Sequence, residues 1–297
     1  MVADDTHAGI IDDLVRRAGV VMLVGAPNTG KTTFARALLS AAVEHGRTAA
    51  YVDAEVDQST TGPPTCVGLK WLRERSDLAD LAHADALQFV GSITPEGLVL
   101  QQVVATATLV QAARTRADLV VVDTAGVITG VIGQSIKYHK MEICRPDVVL
   151  GLQSGGELEP LVGMLRRFFS ADVEVAPVDA RLAPSSPEDR HRHRARLLAE
   201  AFARPLQRWR VRPTVFAPTL PAGLDLARLH GVIVGVMDGT GWCLGLGVLE
   251  YDDEGILRVM TNTGEGMRGL RLGSLRIDLD TYEVQRVRLR EVMFGLD

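Results

Sequence analysis

The stretch Val20-Val-Met-Leu-Val24, Gly25-Ala-Pro-Asn-Thr-Gly30-Lys31-Thr32-Thr33 decides how the rest of the chain is read. Its apolar run suits a strand buried on both faces. The residues from Gly25 to Thr32 fit G-x-x-x-x-G-K-S/T and precede a helical pattern. The glycines let the backbone curl so that amide N–H groups point inward at a polyphosphate, and the following helix offers its positive end to the same anion. On this reading Gly25, Ala26, Pro27, Asn28, Thr29, Gly30, Lys31, Thr32 and Thr33 form a nucleotide-binding loop. Lys31 bridges the outer phosphates and Thr32 ligates Mg²⁺. Lysine is otherwise scarce, with only Lys70, Lys137 and Lys140 elsewhere.

Outward from the loop, short β-branched runs alternate with longer helical patterns. Strands are expected at Val20 to Val24, Ala49 to Asp53, Leu119 to Asp123, Val148 to Leu152 and Val173 to Val178. Helices are expected at Lys31 to His45, Pro95 to Thr115, Gln134 to Cys144 and Leu158 to Phe169. This is the pattern of an α/β fold of the P-loop NTPase class, a doubly wound parallel sheet with helices on both faces. From Ala176 to Pro187 a proline-rich stretch breaks the rhythm and leads into a basic helix; residues 180–204 read as a lid. From Gly231 short apolar runs are separated by turns at Asp238 to Gly241, Asp252 to Gly255 and Asp280-Thr281, which implies a small β-rich domain. The division drawn is 1–208 for the phosphate-loop domain and 209–297 for the β-rich domain.

In the 297 residues, 46% are hydrophobic and 23% charged, the composition of a globular protein. No apolar stretch approaches the roughly 20 residues needed to span a bilayer, so no membrane contact is expected. Asp4, Asp5 and His7 stand where a signal peptide would carry a basic and then an apolar region, which points to the cytoplasm. Cys66, Cys144 and Cys243 have no paired spacing, so they read as buried thiols, outside any disulfide framework or zinc site. The net charge of −5 argues against general nucleic-acid affinity. Between Arg190 and Arg212, however, eight arginines accompany the single acid Glu200, so one patch could hold phosphates.

A phosphate loop alone leaves the reaction open, because kinases, switch GTPases and motor ATPases share it. The carboxyl ends of neighbouring strands add acids: Asp53 and Glu55 after the second strand, and Asp123 after Leu119-Val-Val-Val122. Ligands bind at such strand ends in open α/β sheets. There an acid can hold metal or take a proton from an attacking hydroxyl, and Asp123 is placed to position Mg²⁺.

With these residues in view, the chain resembles the polynucleotide 5′-hydroxyl kinases that include the eukaryotic pre-mRNA cleavage-factor kinase, the pre-rRNA-processing kinase and archaeal relatives. The likeness runs from Val20 nearly to the end. Asp53-Ala-Glu55-Val-Asp57-Gln58 is similar to the family's D-x-D-x-G-Q segment, and Thr124-Ala-Gly126-Val127 falls at its T-x-G-W substrate clasp. Arg190-His-Arg-His-Arg194, eight residues before Phe202, resembles its R-x-x-x-R lid. The runs from Gly231, Leu244 and Gly269 resemble its carboxyl-terminal β domain. Glu55 stands in place of an aspartate, Asp57 in place of a glycine and Val127 in place of a base-stacking tryptophan.

The resemblance implies an ATP- and Mg²⁺-dependent kinase that phosphorylates the 5′-OH end of RNA or DNA. Lys31, Asp53, Glu55, Arg190 and Arg194 would carry catalysis. Thr32, Asp53 and Asp123 would serve the metal. Gln58, Thr124, Gly126, Lys137 and Lys140 would grip the strand's terminal phosphates. Two other classes stay open on the residues alone. One is a SIMIBI-type NTPase switch using Asp123-x-x-Gly126, although no N-K-x-D guanine motif is present. The other is a non-catalytic nucleic-acid-binding scaffold that keeps nucleotide for its shape. Protein partners are not legible.

Overall fold

The structure is a computed structural model that describes residues 5–179, 182, 184–252, 254–288 and 291. It opens with α1 (Asp5–Arg17), β1 (Gly19–Gly25), α2 (Lys31–Glu44) and β2 (Ala49–Ala54). Next come β3 (Cys66–Leu72), α3 (Arg75–Ala79), β4 (Ala86–Phe89), α4 (Val99–Arg114) and β5 (Leu119–Thr124). The first layer closes with α5 (Gly130–Cys144), β6 (Val148–Gln153), α6 (Glu159–Phe168) and β7 (Asp172–Pro177).

Seven strands lie in the order β4-β3-β2-β5-β1-β6-β7. Strands β2, β5, β1, β6 and β7 are mutually parallel, as the alternating pattern implies. Their apolar residues serve two cores by turns. Val20, Met22 and Val24 of β1 join Val120 and Val122 of β5 beneath α4, α5 and α6. Val21 and Leu23 join Val121 on the opposite face, beneath α1 and α2. Each such buried side chain stabilises the fold by roughly 1.5–3 kcal/mol. Because β1 feeds α2 on one face and β5 feeds α5 on the other, the crevice between their carboxyl ends opens at the edge of both layers.

The sheet is not wholly parallel. Strand β3 runs antiparallel to β2 and β4 antiparallel to β3, two strands absent from the expected set. Gly68, Lys70 and Trp71 interrupt the apolar signal of β3, and β4 has only four residues. The pairing comes from tertiary contact, with the Lys70 ammonium held by Asp80 and Asp85. Helix α1 likewise lies outside the expected helices. The short α3 was not expected either, whereas α2, α4, α5 and α6 agree within a few residues, α4 starting at Val99 where Pro95 was expected.

After α7 (Pro187–Ala201) the chain builds a second sheet from β8 (Gln207–Arg210), β9 (Phe216–Ala217), β10 (Val232–Met237), β11 (Cys243–Tyr251), β12 (Leu257–Thr261), β13 (Gly269–Ile277) and β14 (Val284–Arg286). Its order is β14-β13-β10-β11-β12-β8, with β9 beside β13. Strand β8 pairs with β12, so the 208/209 division falls inside a strand and the second sheet begins at Gln207. The turns at Asp238, Asp252 and Asp280 each join antiparallel strands. Phe89 and Cys66 of the first sheet share a core with Leu198 and Phe202 around α7 and with Ile233, Cys243 and Leu246 of the second. This packing ties both sheets to the lid helix. Cys66, Cys144 and Cys243 are buried free thiols. Among the described residues no helix is long and apolar enough to cross a membrane.

Candidate active site

The loop between β1 and α2 is set by backbone geometry. Gly30 takes φ 84° and caps α2, a left-handed conformation that favours glycine. Lys31, the first helical residue, is only 8% exposed, and its ammonium donates to the Gly25 and Ala26 carbonyls at 3.0 and 2.8 Å. Burial pulls its pKa below the ordinary lysine value, against the attraction of Asp123 and Glu55.

Asp123, the penultimate residue of β5, lies opposite Leu23 on one side and Asp53 on the other. Its Oδ2 accepts the Thr32 hydroxyl at 2.6 Å and the Tyr51 hydroxyl at 2.9 Å. Its Oδ1 is buried with no hydrogen-bond partner among the described residues. Burial raises its pKa, while the Thr32 bond and Lys31 oppose the rise. A buried, unpartnered carboxylate oxygen beside a phosphate-loop threonine suits a cation with oxygen ligands.

Asp53 departs from its expected place. Its Oδ1 accepts the Glu55 amide at 3.1 Å, and its Oδ2 accepts the Thr60 and Thr61 amides at 2.5 and 2.9 Å. The carboxylate therefore staples the 55–61 loop and does not line the cavity. Burial and the Asp123 charge push its pKa up to about 8, against three amide bonds that favour the carboxylate. Glu55 and Asp57 line the cavity instead. Glu55 Oε1 accepts the Asp57 amide at 3.0 Å, and burial raises the Glu55 pKa above the usual carboxylate range.

The lid helix α7 starts at a reciprocal cap: Ser186 Oγ accepts the Asp189 amide while the Asp189 carboxylate accepts the Ser186 amide. Just before it, the Ser185 amide donates to Asn28 Oδ1, joining lid and phosphate loop at 3.3 Å. Arg190 and His193 line the cavity. Arg194 does not; its guanidinium donates to Asp57 Oδ1 at 2.6 Å and so lies behind a carboxylate that does. Gln58 Nε2 bonds both Asp57 Oδ2 and the Arg190 carbonyl, at 3.0 and 3.1 Å. The expected lid start at Ala180, Arg181 and Ala183 lies outside the described residues.

Thr124, Ala125, Gly126 and Val127 form another wall. Gly126 lies so close to the loop that a Cβ there would stand 2.7 Å from Pro27 N. Lys137 and Lys140 are not among the groups that face this space. They are 1% and 0% exposed, on the inner side of α5. Lys137 donates to Thr124 Oγ1 and the Ala125 carbonyl at 2.8 and 2.6 Å, and Thr124 donates onward to the Leu23 carbonyl at 2.7 Å. It braces the wall from behind. Lys140 has no hydrogen-bond partner among the described residues, and burial lowers its pKa to about 8. The expected grip of Lys137 and Lys140 on the strand's terminal phosphates is therefore not what the structure places there: both ammonium groups are buried on the inner side of α5.

The whole cavity has a volume of about 790 Å³. Sequence reasoning missed Ile93 to Glu96, Asp57, His193 and Tyr51 as parts of it or its support. The 93–96 segment follows β4, the unread strand, and is held from the second sheet by Arg286, which bonds Thr94 and Glu96. Asp57 stood out only as a residue in place of a glycine, and His193 only as part of a charge run.

Residues 25–204 match the family described as mRNA cleavage and polyadenylation factor CLP1 P-loop. The chain is 27% identical to a Thermococcus kodakarensis protein named polyribonucleotide 5′-hydroxyl-kinase, over 92% of each chain. A Pyrococcus furiosus protein of the same name is 25% identical over 95% of this chain and 88% of its own. In fold, the chain is similar to Clp1p in the solved Clp1p–Pcf11p complex, with TM-score 0.68 and 14% identity over 90% of this chain and 77% of that one.

Proposed function

The chain belongs to the mRNA cleavage and polyadenylation factor CLP1 P-loop family, and from that premise we propose that it is a kinase that transfers the γ-phosphoryl group of ATP to the 5′-hydroxyl end of a polynucleotide. The names of the archaeal relatives favour RNA as the strand. The observation that carries the reading is the meeting of four groups in one cavity: the Gly25–Thr33 loop, Asp123, Glu55 and Arg190.

The loop amides and the start of α2 hold the polyphosphate, and Lys31 exchanges two loop carbonyls for the outer phosphates. Thr32 and the free Oδ1 of Asp123 fit Mg²⁺, which when bound neutralises charge on the phosphates. Glu55 takes the proton of the 5′-hydroxyl as its oxygen bonds to the γ-phosphorus and the bond to the β-phosphate oxygen breaks, releasing ADP. Its raised pKa brings it nearer to working pH, as general-base efficiency requires. Asp53 is a positioning residue, holding the Glu55 amide. Arg190 stabilises charge on the transferring group from the lid. Gln58, Thr124 and Gly126 shape the substrate side, with Lys137 acting through Thr124.

The test is the Glu55→Gln variant. Its transfer rate should fall by about 10²- to 10⁴-fold with ATP affinity retained. Collapse of ATP affinity with transfer per bound complex preserved would remove Glu55 from the chemistry.

A further inference from the structure

The partners of the arginine run from Arg190 to Arg212 divide it into three. Arg190 faces the candidate active site. Four others are paired with acids: Arg192 with Glu188 and Asp189, Arg194 with Asp57, Arg196 with Glu200 and Arg208 with Glu250. Arg204, Arg210 and Arg212 are exposed and have no carboxylate partner among the described residues. Two of these three, Arg210 and Arg212, line a second cavity of about 480 Å³ in the carboxyl-terminal sheet.

That cavity is built by the edge of the sheet. Beyond β8 the Val211 amide donates to the Leu257 carbonyl at 3.0 Å, and Val211 is buried. The two-residue period then places Arg210 and Arg212 on the same side. Leu226, Ile256 and Leu257 give the cavity apolar walls. In the adjoining turn Asp252 is engaged by Arg258, which leaves the two guanidinium charges uncompensated from that carboxylate. The volume lies within the roughly 300–1,000 Å³ of ligand-holding cavities.

We propose that this cavity is a second nucleic-acid site, which takes the sugar-phosphate backbone of a single strand whose 5′ end occupies the active site; it rests on the polynucleotide reading above. Two planar forks without acidic partners among the described residues suit phosphate oxygens. The apolar walls receive sugar and base edges. Among the described residues no aromatic side chain lines the cavity, so stacking contributes little and the grip is tolerant of sequence. On a chain of net charge −5, a polyanion settles where arginines are not already neutralised.

The test is anisotropy with single strands of about 20 and about three nucleotides, which bracket a typical single-strand footprint of roughly 4–16. The strands are 5′-phosphorylated, so binding is read whether or not transfer occurs, and failure of the kinase reading is seen separately. The double variant Arg210→Ala with Arg212→Ala should bind the long strand about tenfold more weakly, and its slope of log affinity on log salt should flatten by about 1.4, or 0.7 for each lost contact. The short strand should bind unchanged. Arg210→Lys with Arg212→Lys should keep most of the slope, and Arg204→Ala should leave it alone. Equal loss on both strand lengths, an equal effect at Arg204, or no effect at all overturns the site.

Discussion

The phosphate loop and the lid helix border one cavity but are held by different forces. In the loop, direction comes from the main chain: Gly30 at φ 84° opens the helix, and Lys31 is buried against two carbonyls. In α7, direction comes from whichever acid a long side chain can reach, and Arg194 reaches Asp57 while Arg190, four residues earlier, does not. The role of a loop residue is therefore nearly fixed by local sequence. The role of a lid arginine is fixed by a residue more than a hundred positions away.

That contrast can be broken most severely at Lys31. Lys31→Ala should abolish measurable transfer, a loss on the order of 10²- to 10³-fold or more, while the thermal unfolding temperature stays near that of the parent chain. Retained transfer in a folded variant would mean that the loop does not act on the phosphates.

The lid is sharpened by comparing its two arginines. Arg190→Ala should lower transfer by about 10³-fold, the scale of a lost arginine finger. Arg194→Ala should cost clearly less, because that guanidinium reaches the cavity only through Asp57, and Asp57→Asn should reproduce part of its effect. Equal losses at Arg190 and Arg194 in single-turnover assays would show that Arg194 leaves Asp57 during the reaction.

A smaller effect is expected behind the wall, at Lys140. Its folded pKa of about 8 lies below the ordinary 10.5, so burial disfavours the charged form. At neutral pH folded and unfolded chains both carry the proton, and the penalty is present in full. As pH rises through 8 the folded state releases its proton first, and stability climbs until about 10.5, by roughly 3 kcal/mol. Lys140→Met should raise the unfolding temperature by a few degrees at pH 7, with the advantage shrinking above pH 8. A pH-independent difference in denaturant unfolding would contradict this.

The smallest effect concerns base contact. Val127 lines the cavity where a stacking aromatic would be of use, and Tyr138 packs against Phe168 and Phe169 instead. Val127→Trp should tighten oligonucleotide binding by about tenfold, within the 1–3 kcal/mol of base stacking. For the parent chain, the Michaelis constant of a short strand should rise between about 50 and 200 mM salt with little dependence on the terminal base.

These cases also show what was legible in advance. Four of the parallel strands, β1, β2, β5 and β6, were readable because burial on both faces demands largely apolar runs, the edge strand β7 from its alternating Val173 and Val175, and Gly25 to Thr32 because its chemistry is local. Strands β3 and β4 were not, since Lys70 finds its acids only after folding. Asp53 and Glu55 look interchangeable as letters; three amides of the following loop decide that Asp53 is the staple and Glu55 the acid on the cavity. Lys137 and Lys140 were misplaced for a related reason: helical periodicity does not report that α5 turns both ammonium groups inward, Lys137 onto Thr124 and the Ala125 carbonyl.

Polynucleotide 5′-kinase activity is read out by incubating the protein with Mg²⁺, γ-labelled ATP and one RNA in two forms, 5′-hydroxyl and already 5′-phosphorylated. Label should appear at the 5′ end of the hydroxyl form alone and be absent with Lys31→Ala. Release of labelled phosphate to water, with no label on the 5′-hydroxyl strand, would contradict it.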